Sequence, residues 1–225
     1  MIVPAIKYAY VVILGVAFLF SLTSFRAGVP FHWKLLALLL GLTFLVELST
    51  GYFWKFFHLR NNMQVYGPFD LLEFLVFGYF FYKLIEIKSL RRIILLFLWI
   101  FPIFWFVTTF YIFKFQTWNT YVTVVGSFFI IVFVLIYYYQ LLTAKEIQPI
   151  RNLPEFWIAT GLLVFHLWDL PYFGTLNFFM GYYRTHKAVS WGLLNARMIL
   201  DSLMYAFISY GYLCRILNTT KYSSP

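Results

Sequence analysis

Seven long apolar runs, separated by short polar or basic segments, constrain this chain more than any other feature: 8–22, 35–57, 68–85, 93–112, 120–142, 155–173 and 190–214. A helix needs about 17–25 mainly apolar residues to cross a hydrocarbon layer, and most of these runs are of that size. They are continuous and lack the two-residue alternation of barrel strands, so helices are expected, because only helices and closed barrels satisfy every backbone group in lipid. Composition points the same way, with 63% hydrophobic and 11% charged residues where a soluble domain carries about 25% charged. The expected fold is an all-α integral membrane bundle of seven transmembrane helices in a single domain spanning residues 1–225. The first run follows Lys7 like a signal peptide, but no small-residue cleavage pattern closes it, so it is read as a retained helix.

The segments between the runs set the expected topology. Lys88-Ser-Leu-Arg-Arg92 and Tyr183-Arg-Thr-His-Lys187 are too polar for hydrocarbon and are read as loops. Pro68 is expected in the first turn of the third helix, where its missing N–H costs nothing, and Asn152 with Glu155 is expected to cap the sixth. Lys and Arg number ten on the first, third and fifth loops and the tail, against six on the amino end and the other loops. Cytoplasmic loops are the basic ones, so the amino terminus is expected outside and the carboxyl terminus in the cytoplasm. Trp33, Trp54, Trp118, Trp157 and Trp191 near helix ends are expected to anchor at the membrane interfaces.

Weak internal symmetry is also visible. Leu72-Glu73-Phe74-Leu75 in the third run matches Leu200-Asp201-Ser202-Leu203 in the seventh, acid against acid, and Gly41-Leu42 in the second matches Gly161-Leu162 in the sixth. With the fourth helix as linker, this is a 3+1+3 parallel pseudo-repeat.

Charged side chains inside the runs are the informative exceptions, since each costs at least about 2.5–3.5 kcal/mol at the centre of a membrane helix. Besides Lys55, Lys83 and Glu155 near run ends, they are Glu47, Asp70, Glu73, Asp169, Arg197 and Asp201, joined by His166. Asp70 with Glu73, His166 with Asp169, and Arg197 with Asp201 each share one face of a helix by their three- or four-residue spacing. At about 1.5 Å per residue, Asp70 and Glu73 fall about 3 and 8 Å from the outer end of their helix, and Arg197 and Asp201 about 10 and 16 Å from the outer end of theirs. Lipid-facing placement is prohibitive, so the second, third, sixth and seventh helices are expected to enclose a polar cavity open to the outside. Pro171 is expected to loosen the sixth helix at its rim.

Several chemistries lack their signatures. Basic residues form no run or stripe, which speaks against nucleic acid. The single cysteine, Cys214, excludes an internal disulfide and a cysteine metal cage, and His58, His166 and His186 show no metal-ligand spacing, so no metal and no cofactor is expected. Serine-nucleophile elbows and phosphate-binding glycine loops are absent.

Leu71-Leu-Glu-Phe-Leu-Val-Phe-Gly78, Pro154-Glu-Phe-Trp-Ile-Ala-Thr-Gly-Leu-Leu-Val164 and Asn195-Ala-Arg-Met-Ile-Leu-Asp201 resemble a family of small bacterial seven-helix membrane proteins. The resemblance implies a bacterial inner membrane and carries no activity with it. The layout is similar to that of SWEET sugar carriers and PnuC-type vitamin carriers, without their motif residues. The expected function is therefore small-molecule binding, as a carrier or sensor, in the lipid bilayer. Arg197 would grip an anionic group or tune the acids, and the carboxylates would bind a cation or exchange protons. Two alternatives are an intramembrane hydrolase acting on a lipid-like substrate and a non-catalytic subunit beside a membrane partner protein.

Overall fold

A computed structural model describes residues 2–56, 63–144 and 149–222. His58, Arg60, Lys145 and Glu146 lie outside the described residues, as do the side chains of Lys7, Trp54, Lys55, Arg184 and Lys221. Among the described residues there are seven α-helices and no strand: α1 Ile2–Ser21, α2 Phe31–Phe56, α3 Met63–Leu84, α4 Lys88–Val107, α5 Thr120–Leu142, α6 Pro154–Thr185 and α7 Lys187–Tyr222. Five of them, α1, α2, α4, α5 and α6, are long and apolar enough to cross a membrane. The two outside that class, α3 and α7, are of sufficient length but carry Asp70 and Glu73 or Arg197 and Asp201.

Neighbouring helices define a closed ring. α1 packs on α2, α2 on α3, α3 on α5, α5 on α6, α6 on α7 and α7 back on α1, while α4 lies outside against α3 and α5. The expelled α4 presents Ile94, Phe97 and Phe101 inward. Phe97 meets Phe129 and Phe133 of α5 at ring-centroid distances of 5.0 and 5.3 Å, and Phe101 meets Phe74 of α3 at 5.4 Å. Its outer face leaves Trp99, Ile100 and Ile103 exposed.

Glycines allow close approaches between helices. A Cβ on Gly161 would stand 2.8 Å from the Phe207 Cβ and 2.9 Å from the Met204 carbonyl, so α6 and α7 meet backbone to backbone there. A Cβ on Gly126 would stand 2.6 Å from the Phe74 ring, which fills the space between α3 and α5. Small residues at such contacts are what let membrane-type helices gain van der Waals contact.

The tightest packing lies toward one end of the ring. Leu14, Leu36, Phe80, Phe81, Phe133, Ile158 and Tyr212 are all buried on the half of their helices toward the α3–α4 turn, where Ile85 of the connector is buried too. Trp33 belongs to this core, with its ring 5.2 Å from that of Tyr212 and the Arg215 guanidinium 4.9 Å above it. It is 3% exposed, so it is not the interfacial anchor the sequence suggests.

Several boundaries differ from expectation, each for a local reason. α3 begins at Met63, five residues early, so Pro68 sits inside the helix, and the Trp105 indole N–H of α4 donates to the neighbouring Gly67 carbonyl at 2.9 Å. The basic segment at residues 88–92 forms the first turns of α4 instead of a loop, leaving only residues 85–87 as connector. Between α6 and α7 only His186 is non-helical, with no glycine or proline between residues 182 and 191 to stop the chain. α6 runs unbroken through Pro171, where Thr175 Oγ1 donates to the Pro171 carbonyl at 2.8 Å, so the helix does not loosen there. The Asn152 cap of α6 does not form either. A 3₁₀ turn spans Ile150–Asn152, Pro154 opens the helix, and the Asn152 carbonyl accepts from Asn218 Nδ2 at 2.8 Å.

Candidate functional site

Opposite the packed end the ring does not fill. A cavity of about 350 Å³ lies between α1, α2, α3, α5, α6 and α7, and Glu47, Asp70, Glu73, His166, Asp169, Arg197 and Asp201 all line it. The earlier start of α3 puts Asp70 and Glu73 about 10 and 15 Å along the helix, deeper than the sequence suggests. Three- and four-residue spacings do what helix geometry requires, turning each pair toward one interior.

Arg197 is committed to the wall. Its Nε donates to Asp169 Oδ1 at 3.3 Å, between α7 and α6, with side-chain exposures of 27% and 3% respectively. The guanidinium also lies 5.0 Å from the Phe173 ring centre and 5.8 Å from that of Trp118. A planar, weakly hydrated cation suits this combination of carboxylate and aromatic faces. Arg197 shares a helix face with Asp201, and its ion pair forms across helices, with Asp169. Arg197 still interacts electrostatically with Asp201 and Asp70.

The remaining carboxylates are differently placed. Asp70, Glu73 and Asp201 are half-buried, border the cavity, and make no hydrogen bond or ion pair to a described residue within the usual distances. Glu73 interacts electrostatically with Asp70, Asp201 and Asp169, so the acids form one coupled group.

His166 is 1% exposed, and its Nδ1 shares a hydrogen bond with Ser127 Oγ of α5 at 3.0 Å. The ring is held among Phe74, Phe77 and Phe165, with centroids 5.7, 6.2 and 5.1 Å away. Its Nε2 has no partner. A serine activated for attack normally contacts Nε2 while a carboxylate holds Nδ1. Here the serine occupies Nδ1, Ser127 is 0% exposed and does not border the cavity, and Asp169 is taken by Arg197. The arrangement does not assemble a nucleophile. Among the described residues, no group of three or more His, Cys, Asp or Glu is placed to hold a metal ion.

Aromatic side chains complete the walls; the sequence alone does not assign them there, and suggests Trp118 as an interfacial anchor. Tyr10 of α1 and Tyr205 of α7 border the cavity, with ring centres 5.9 Å apart. Tyr205 and Thr43 each stand four residues from a noted acid, Asp201 and Glu47, and so share its helix face; that spacing was a usable signal. Trp118 gave no such signal, because a loop carries it. α4 ends in a π-helical segment at Thr108–Phe113, and Lys114 and Phe115 follow with φ of 49° and 55°. Asn119 fixes what comes next: its Oδ1 accepts from the Val122 N–H at 3.2 Å, and its Nδ2 donates to Thr108 and Thr109 Oγ1 at 2.8 and 2.9 Å. Trp118 is thereby set at the cavity, its Nε1 donating to Thr123 Oγ1 at 2.9 Å and its ring stacked 5.6 Å from Phe173. π-Helical turns and left-handed non-glycine residues are often found beside functional sites.

No protein-family model, curated protein or solved structure matches this chain.

Proposed function

We propose that the chain is an integral membrane protein of seven spans whose cavity binds a small polar molecule, acting as a carrier. The observation that carries this reading is the convergence of the seven ionisable side chains singled out within the apolar runs on one cavity, three of the acids without a hydrogen-bond or ion-pair partner among the described residues. A network meant only for packing would be expected to close its charges on one another, as Arg197 and Asp169 do. The cavity volume lies within the range of about 300–1,000 Å³ common to small-molecule sites. Exposed Leu45, Leu96, Trp99, Ile103, Leu135 and Leu167 surround the bundle, a belt that suits lipid better than water.

Carrier rather than sensor is favoured by the ring order. Replacing α1, α2 and α3 by α5, α6 and α7 maps every neighbour pair of the ring onto another, as a parallel pseudo-repeat with α4 as linker requires. On that reading the aligned acids Glu73 and Asp201 come from opposed walls. The excess of Lys and Arg at the packed end puts that end in the cytoplasm and opens the cavity outward. A bacterial cytoplasmic membrane is the proposed location, on the resemblance of the sequence alone.

The test is binding by the purified protein in neutral phosphatidylcholine nanodiscs. Wild type and Thr43→Phe, which fills the cavity wall, are screened by thermal shift against choline, putrescine, succinate and glucose. At least one solute is expected to stabilise wild type and not the filled variant; equal responses throughout overturn the reading.

A further inference from the structure

Resting on the reading of the cavity as a small-molecule site, we infer that its ligand is a small organic cation, an amine or ammonium compound, taken up in exchange for protons. Charge placement decides the sign. Among the described residues the arginine of the cavity, Arg197, is already engaged by Asp169 and by two aromatic faces, and so is not a free anchor for an anion. Asp70, Glu73 and Asp201 face the same space with no cation of the described residues within ion-pair distance. A cluster of carboxyls in a low-dielectric interior must carry a countercharge, which is protons when the site is empty and a cation when it is filled.

Shape and surface decide between an inorganic and an organic cation. The described residues offer no group of three ligands close enough for a metal ion. The space of about 350 Å³ is far larger than a bare ion needs. Tyr10, Tyr66, Trp118 and Tyr205 present aromatic faces or edges to it, and aromatic faces attract an ammonium group by their quadrupole. His166 adds an independent pointer. It is 1% exposed at the cavity wall, with Nε2 unpartnered, and a buried polar nitrogen without a partner is costly unless a ligand or water supplies one. As a neutral imidazole with its Nδ1 hydrogen pointed at Ser127, it would accept from an N–H at Nε2.

Other ionisable groups facing the acids are Glu47 from α2, His166, Asp169 and Arg197, and the phenols of Tyr10, Tyr66 and Tyr205; α5 contributes Thr123 alone. Because cation and protons compete for the same carboxyls, affinity rises with pH, by up to tenfold per unit for each proton released.

The experiment is isothermal titration of wild-type protein in neutral nanodiscs with choline and putrescine, with succinate as the opposite charge, at pH 5.5, 6.5 and 7.5 in buffers of differing ionisation enthalpy. The expected result is binding of at least one of the two cations, release of protons, and tighter binding at each higher pH. Glu73→Gln with Asp201→Asn should weaken it at least tenfold, while Glu73→Asp retains it. Should the double variant fail to fold, proton release by wild type carries the test. Cation binding that releases no proton and ignores both substitutions overturns the inference. Succinate binding in place of either cation, abolished by Thr43→Phe, overturns it while leaving the small-molecule site standing. Failure of all three probes with wild type overturns the inference of an organic cation, and the small-molecule site then falls only if the wider screen is also indifferent to Thr43→Phe.

Discussion

The two ends of the same ring are built from the same helices and reach opposite results. Toward the α3–α4 turn, α3 contributes Phe80 and Phe81, both at 0% exposure; two to three turns earlier it contributes Asp70 and Glu73 to an open cavity. On α7, Ile208 and Tyr212 are fully buried, whereas Arg197 and Asp201 border the cavity. Helix packing alone therefore does not create the space. Where the inward positions are large and apolar they interdigitate to close it, and where they are acids, repulsion and the need for polar partners hold the walls apart.

The contrast can be broken first at the packed end. Gly161→Leu should abolish the folded state in detergent, because the new side chain meets the Met204 backbone, which cannot move aside as a flexible side chain could; size-exclusion chromatography and circular dichroism check it. Phe81→Ala, at a site of 0% exposure, should cost about 3–5 kcal/mol in denaturant unfolding. The equivalent truncation at the cavity, Phe69→Ala, should cost less than about half of that, since one side of the ring already lacks packed neighbours. Equal losses would mean that the cavity is collapsed.

Arg197→Gln comes next. It leaves the Asp169 carboxylate, 3% exposed, without its cation. The loss should be about 2–3 kcal/mol, below the about 3–5 of a fully dry pair because Arg197 touches the cavity. Adding Asp169→Asn should recover most of it, measured by the same unfolding curves. The smallest effect is expected from Asp201→Asn alone: stability within about 1 kcal/mol of wild type, since no protein partner is lost and one like charge is removed.

Sequence made the helices legible where polar punctuation is abrupt. α5 matches the expected 120–142 at both ends because Asn119 caps it and Thr143 closes it. It misled where helix formers continue past the apolar stretch: α6 and α7 run on by twelve and eight residues beyond expectation, to 32 and 36 residues in all. At about 48 and 54 Å they exceed a hydrocarbon layer of about 30 Å. The charged wall was legible because acids in apolar helices have few tolerable places to point. The partner of Arg197, the seat of His166 on Ser127 and the placement of Trp118 were not, since each depends on contacts across helices or on a loop whose π-helical lead-in has no sequence period of its own.

Cysteine accessibility tests the central claim most directly, and the single native cysteine makes the background simple. In a Cys214→Ser protein, cysteines are introduced one at a time as Asp201→Cys, Thr43→Cys and Phe81→Cys. They are challenged in intact cells with a membrane-impermeant cationic methanethiosulfonate. The account predicts rapid labelling at 201 and 43, slower labelling there by an anionic analogue, and none at 81. Protection of all three positions, or equal labelling of position 81, would contradict a polar cavity confined to one end of the ring.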